Sequence, residues 1–96
     1  MEPSSIVVGV AWYRPEQYGL LLALSVDPEG MAKTYDEWLA AILRTMEDLR
    51  KRGVVARRVD VDVRILVAWC EERDRPLDGA ARAEFAAERV RSDHMG

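Results

Sequence analysis

The run Ile6-Val7-Val8-Gly9-Val10-Ala11-Trp12-Tyr13 constrains the fold most, because β-branched and aromatic residues follow one another without polar alternation until Arg14-Pro15 cuts them off. Such a run suits a strand covered on both faces, by helices of its own chain or by a partner. It is too short to cross a bilayer and lacks the basic flank and small-residue cleavage site of a secretory signal, so neither a membrane partner nor export is expected. Pro15 then provides the fixed φ wanted at a first helical position. Tyr18, Leu20, Leu21, Leu22 and Leu24 continue a short helix to about Ser25, apolar nearly all round and therefore expected to be largely buried. Arg14 stands where a small hydrogen-bonding cap residue is usual, which marks this junction as a candidate site.

Asp27-Pro28-Glu29-Gly30 has turn chemistry, and Thr34 with Glu37 forms a Thr-x-x-Glu capping box that starts the next helix. From Tyr35, the residues Trp38, Leu39, Ile42, Leu43, Met46 and Leu49 recur at spacings of three and four, the mark of an amphipathic helix. Gly53 ends it as a left-handed cap after about eighteen residues, roughly 27 Å at 1.5 Å per residue. Val54 to about Val61 reads as a half-exposed strand, with Val55, Val59 and Val61 on one parity, Arg58 and Asp60 on the other, and Arg57 breaking the pattern. Asp62 caps a third helix ending near Arg73. Asp78 caps a last, alanine-rich helix from about Gly79 to Arg91, whose only large apolar side chains are Phe85 and Val90, so it reads as a lid or arm. Gly9 weakens the first strand slightly.

The fold class is therefore α+β, with two short strands and four helices in the order β-α-α-β-α-α, and a single domain over residues 1–96 whose ordered part is about 6–91. With two helices between the strands, an up-down-up-down path favours antiparallel neighbours. Two strands alone make a marginal sheet, so a second copy of the chain is expected to extend or cover it.

Length leaves no room for a second domain, and 49% apolar beside 32% charged residues is an ordinary globular composition. A net charge of −3 provides no global field for phosphate backbones, so a nucleic-acid partner is not expected. The single cysteine, Cys70, excludes an internal disulfide and fits a reducing, cytoplasmic setting.

The candidate ligand-binding residues are Tyr13, Arg14, Tyr18, Asp60 and Asp62. A guanidinium at a helix start can clamp a carboxylate or phosphate, and the tyrosines adjoin it; the plainer account pairs Arg14 with Glu37, Asp60 or Asp62 and leaves the tyrosines at the core edge. Asp60 and Asp62 share a strand face and could hold a hard cation or work as an acid/base pair, but two ligands do not make a metal site, so no metal and no cofactor is implied. Arg57 and Arg58, with Arg50, Lys51 and Arg52, form a local basic patch that offers a nucleic-acid contact or, more plainly, complements a helix end. Trp12, Trp38 and Trp69 lie on three different elements and mark a pocket, a core or a dimer interface.

The pattern Ala11-Trp12-Tyr13-Arg14-Pro15-Glu16-x-Tyr18, then Thr34-Tyr35-Asp36-Glu37-Trp38-Leu39, then Val59-x-Val61-Asp62 leading to Ala68-Trp69-Cys70, resembles a group of small uncharacterised bacterial proteins of about this length. The resemblance implies a bacterial cytoplasmic origin and a self-contained domain; it brings no catalytic residue and no substrate. The sequence thus points to a homodimeric protein-interaction module rather than a catalyst. The alternatives are a protein or minor enzyme that binds a small anionic ligand around Arg14, and a nucleic-acid-linked regulator using Arg57 and Arg58.

Overall fold

A computed structural model describes residues 6–95. The elements are β1 (Ile6–Trp12), α1 (Pro15–Leu24), α2 (Tyr35–Lys51), β2 (Val54–Asp60), α3 (Val63–Glu72) and α4 (Gly79–Met95), with a 3-10 turn at Pro28–Gly30. This is the α+β arrangement of two strands and four helices. None of the helices is long and apolar enough to cross a membrane among the described residues.

The local signals place the helix ends well. Thr34 Oγ1 accepts from the Glu37 N–H at 3.1 Å, while Glu37 Oε1 reaches back to the Lys33 N–H at 3.3 Å, one residue before the cap. Gly53 adopts φ 79°, the left-handed conformation that closes α2 without a Cβ clash. Asp62 Oδ1 accepts from Arg64 N–H, and Asp78 Oδ1 from Ala81 N–H, each at 2.9 Å.

The strands run parallel, with Ile6 opposite Val54 and Trp12 opposite Asp60. The antiparallel expectation is corrected by the unequal roles of the two intervening helices. α1 has 10 residues and packs on α2 and α3 instead of retracing the sheet. Only α2 runs back along β2; at about 25 Å it matches a strand of about 23 Å, so the chain re-enters the sheet in its original direction as a β-α-β crossover.

Helices lie chiefly on one strand each, α4 on β1 and α2 on β2. The last helix is no lid. Ala81, Phe85 and Ala86 of α4 are fully buried, and they join Tyr13, Tyr18, Leu21, Val59, Val61, Val63, Leu66, Trp69, Cys70 and Leu77 in one core. Its small residues are what bring it close: a Cβ on Gly9 would lie 2.6 Å from the Ala86 carbonyl oxygen and 2.7 Å from Val90 Cγ2. Gly9 is therefore a requirement of the helix-on-strand contact, not a weakness of the strand.

Two elements are more exposed than their apolar content suggests. α1 buries only Tyr18 and Leu21, leaving Leu20 and Leu24 in solvent, because it sits at the periphery. α2 has no buried residue at all. β1 is half-buried from Val8 onward, and its first residues, Ile6 and Val7, are exposed.

Candidate functional site

The turn after β1 separates the candidate residues into two groups. Tyr13 and Tyr18 turn into the interior, whereas Arg14 points to solvent, as alternation at a strand end requires. Arg14 lines a cleft of about 180 Å³ with Gln17, Asp60, Val61 and Asp62. It makes no ion pair or side-chain hydrogen bond among the described residues, so pairing with Glu37, Asp60 or Asp62 is not what holds it. The nearby start of α3 is already satisfied: Gln17 Oε1 accepts from Val63 N–H at 2.7 Å and Asp62 from Arg64 N–H. Those N–H groups have no spare capacity for an anion, and the two aspartates add negative charge beside the guanidinium. Among the described residues no group of three or more His, Cys, Asp or Glu side chains is placed to hold a metal ion.

The interior group is richer. Trp38 is the hub of an aromatic cluster, with ring centroids 5.3 Å from Trp12, 5.5 Å from Tyr13, 5.9 Å from Tyr18 and 5.4 Å from Tyr35. These separations fall in the favourable range for tilted and edge contacts. Trp69 stands apart, against Phe85 at 5.7 Å, with its indole N–H donating to Glu88 and Arg73 stacked on its ring. The three tryptophans therefore do not line one pocket.

A cleft of about 230 Å³ opens beside the cluster, walled by Tyr13, Tyr18, Leu21, Met31, Trp38 and Arg82, with Gly30, Ala32 and Ala41 at its sides. Tyr18 Oη donates to the Ala32 carbonyl at 2.6 Å, which fixes the loop over the cleft. Arg82 is clamped: Nη1 and Nη2 donate to the two carboxylate oxygens of Asp27 at 3.1 and 3.2 Å, and Nη1 also to Ser25 Oγ at 3.1 Å. Gly79 N–H donates to the same carboxylate. This hydrogen bonding by Arg82 holds the Asp27 carboxyl below its ordinary range. Tyr13 is 4% exposed, and its hydroxyl has no hydrogen-bond partner among the described residues. Burial pushes its phenol up to about 12, against a smaller opposing pull from Arg82, so it remains a neutral donor.

Arg82, Asp27 and Ser25 were not among the sequence-derived candidates. A signal was present: Arg82 is three and four residues before Phe85 and Ala86, on the face of α4 that helical periodicity buries. An arginine on such a face requires a carboxylate. Which carboxylate depends on a long-range contact across the 25–30 loop.

Arg57 and Arg58, as neighbours in β2, project from opposite faces of the sheet, and the Arg58 guanidinium lies 4.2 Å from the Trp12 ring centroid. Arg50 pairs with Glu47. The basic residues near the α2–β2 turn thus do not form one continuous face.

A different surface gathers at the amino ends of the strands. Leu43, Met46, Val54, Val55 and Ala56 line a groove of about 470 Å³, rimmed by Glu47, Arg50 and Arg58. Leu43 is 47% exposed and Val55 45%, and Ile6, paired with Val54, is 62% exposed. Neither strand has a second neighbour in the sheet among the described residues.

Compared with protein-family models, curated proteins and solved structures, the chain shows no match.

Proposed function

We propose that the protein is a homodimeric protein-interaction module whose contact surface is the amino end of the sheet with the adjoining face of α2. One observation carries this reading: α2 is strongly amphipathic, yet Leu39, Ile42, Met46 and Leu49 are only half-buried, Leu43 is exposed, and no residue of the helix is buried. Fully burying one large apolar side chain contributes roughly 1.5–3 kcal/mol, against total stabilities of about 5–15 kcal/mol, so a partner covering this stripe adds a large share. β1 carries no charged residue from Ile6 to Trp12, whereas β2 carries Arg57 and Arg58. Pairing β2 with its own copy would set like charges near one another; pairing β1 with β1 of a second copy would not. The groove rim holds both signs, Glu47 beside Arg50 and Arg58, as a two-fold contact needs in order to be self-complementary. A reducing cytoplasm suits a chain whose single cysteine is buried.

Light scattering after gel filtration at micromolar concentration is expected to give a dimer, and Leu43→Glu a monomer with an unchanged circular dichroism spectrum. A wild-type monomer under those conditions would overturn the proposal.

A second reading retains one supporting observation: Arg14 lines a cleft and has no partner within ion-pair distance among the described residues. Binding of a small anion there, measured with inorganic phosphate and acetate and lost in Arg14→Ala, is its test. Asp60, Asp62 and the occupied start of α3 weigh against it.

A further inference from the structure

β1 and β2 leave the sheet side by side, with Trp12 opposite Asp60 and the Val61 N–H donating to the Trp12 carbonyl at 3.0 Å. That contact carries the ladder one residue past β2 and fixes the Arg14 backbone relative to those of Asp60 and Asp62. The Arg14 carbonyl accepts from the Gln17 N–H at 2.9 Å, and the Gln17 side-chain oxygen accepts in turn from the Val63 N–H. The cleft of about 180 Å³ that these residues line is therefore framed by backbone contacts. Val61 is the one apolar residue among those described that line it, and Val61 is buried.

The charges on its walls are of both signs. Arg14, Asp60 and Asp62 are exposed, so a solute can reach all three. They line one cleft, yet neither aspartate comes within ion-pair distance of the guanidinium. Asp62 commits Oδ1 to the Arg64 N–H. A lone anion at Arg14 meets two carboxylates close by, and a lone cation at the carboxylates meets the guanidinium, so a solute of single charge gains at one wall and loses at the other. A solute with an opposite charge at each end gains at both. The planar guanidinium fork, free of an ion-pair partner, matches a carboxylate, and a carboxylate of the protein accepts from an ammonium group. Size limits the rest of the molecule: a cavity of about 150 Å³ is enough for benzene, so about 180 Å³ takes a compact solute of similar bulk.

We propose that this cleft binds a small zwitterion of the α-amino acid class, its carboxylate on Arg14 and its ammonium group on Asp60 and Asp62. The proposal rests on the second reading above, that the Arg14 cleft is a binding site, and it turns the two aspartates from an obstacle to a ligand into half of the recognition.

The test uses the full chain and three probes, glycine, acetate and methylammonium, which carry both charges, the negative one and the positive one. Heteronuclear NMR titration reads the Gln17 side-chain amide and the Val61 and Val63 N–H signals. Saturable glycine binding in the millimolar range is expected, with acetate and methylammonium each weaker by about tenfold. Glycine has no net charge, so the overall field of the protein does not draw it in. Arg14→Gln is expected to weaken glycine by about 5- to 10-fold, between the effect of an exposed ion pair and that of a charged hydrogen bond. Asp60→Asn with Asp62→Asn keeps a capping side chain at the start of α3 and removes both negative charges; it is expected to weaken glycine by a similar factor while acetate binds more tightly. Circular dichroism checks that each variant folds, and Arg14→Gln, at an exposed position, carries the test alone if the double variant does not. Glycine binding no tighter than acetate, or unchanged in Arg14→Gln, would overturn the proposal; acetate binding that is lost in Arg14→Ala would then leave the simpler anion reading standing, and binding of none of the probes would remove both.

Discussion

Replacing Gly9 by alanine measures how closely α4 lies on β1. In a strand without a close neighbour, glycine to alanine stabilises by about 0.4–1 kcal/mol, because the unfolded chain loses freedom. Here the new Cβ would sit 2.6 Å from the Ala86 carbonyl oxygen and 2.7 Å from Val90 Cγ2. The first contact is with helix backbone, which cannot rotate aside as a side chain does, so α4 must lift from the sheet. Overpacking of this kind costs about 1–3 kcal/mol, which leaves a net loss of about 1–2 kcal/mol after the entropic gain. At about 4–8 °C per kcal/mol for a domain of this size, the midpoint of thermal unfolding falls by about 5–15 °C.

Thermal and urea unfolding followed by circular dichroism check this, and a double-mutant cycle with Val90→Ala sharpens it. Removing the Val90 methyl groups relieves the second contact and leaves the first, so Gly9→Ala should cost less in the Val90→Ala background but still cost something. A Gly9→Ala protein as stable as the parent, or more stable, would refute the close approach and with it the placement of α4 in the core.

Two further predictions concern pH. The Asp27 carboxyl is held below its ordinary value of 3.8 by Arg82, so its contribution to stability is complete above that value and disappears as pH falls through it toward the lowered value; the acid limb of a stability-against-pH curve should be shallower in Asp27→Asn. Burial raises Tyr13 from 10.0 to about 12, so its contribution is complete below pH 10.0 and is lost as pH rises toward 12. Alkaline unfolding followed by circular dichroism should therefore shift to higher pH in Tyr13→Phe.

The helix ends were legible because capping is local chemistry: Thr34 with Glu37, Asp62, Asp78 and Gly53 each act within a few residues of where they stand. Strand direction was not, since it depends on whether α1 retraces the sheet, and nothing in its leucines distinguishes packing on helices from packing on strands. α4 was misjudged for a related reason. Few large side chains suggest little to bury, but Ala81 and Ala86 bury the backbone itself against Gly9, and closeness substitutes for side-chain bulk. At the candidate site, Tyr13 and Arg14 stand between β1 and α1, and Tyr18 lies one turn into α1. Their division into an interior and an exterior group follows from alternation at the strand end, and the ion pair beside the interior group joins Asp27 to Arg82, which lie 55 residues apart.

The parallel pairing decides how assembly and ligand binding relate. In a parallel sheet every strand leaves at the same end, so the segments that follow the strands, with the starts of α1 and α3, gather there; this is why ligands of open α/β sheets bind beyond the carboxyl ends of the strands. Both clefts described above lie at that end, one lined by Arg14, Asp60 and Asp62 and the other by Tyr13, Tyr18 and Trp38. The exposed apolar residues Ile6, Val7 and Val55, and the groove under Leu43 and Met46, lie at the opposite, amino end. An antiparallel pair would have placed the start of one strand beside the exit of the other and put the two surfaces in competition. With the strands parallel, a second copy that covers the amino end leaves both clefts open at the other.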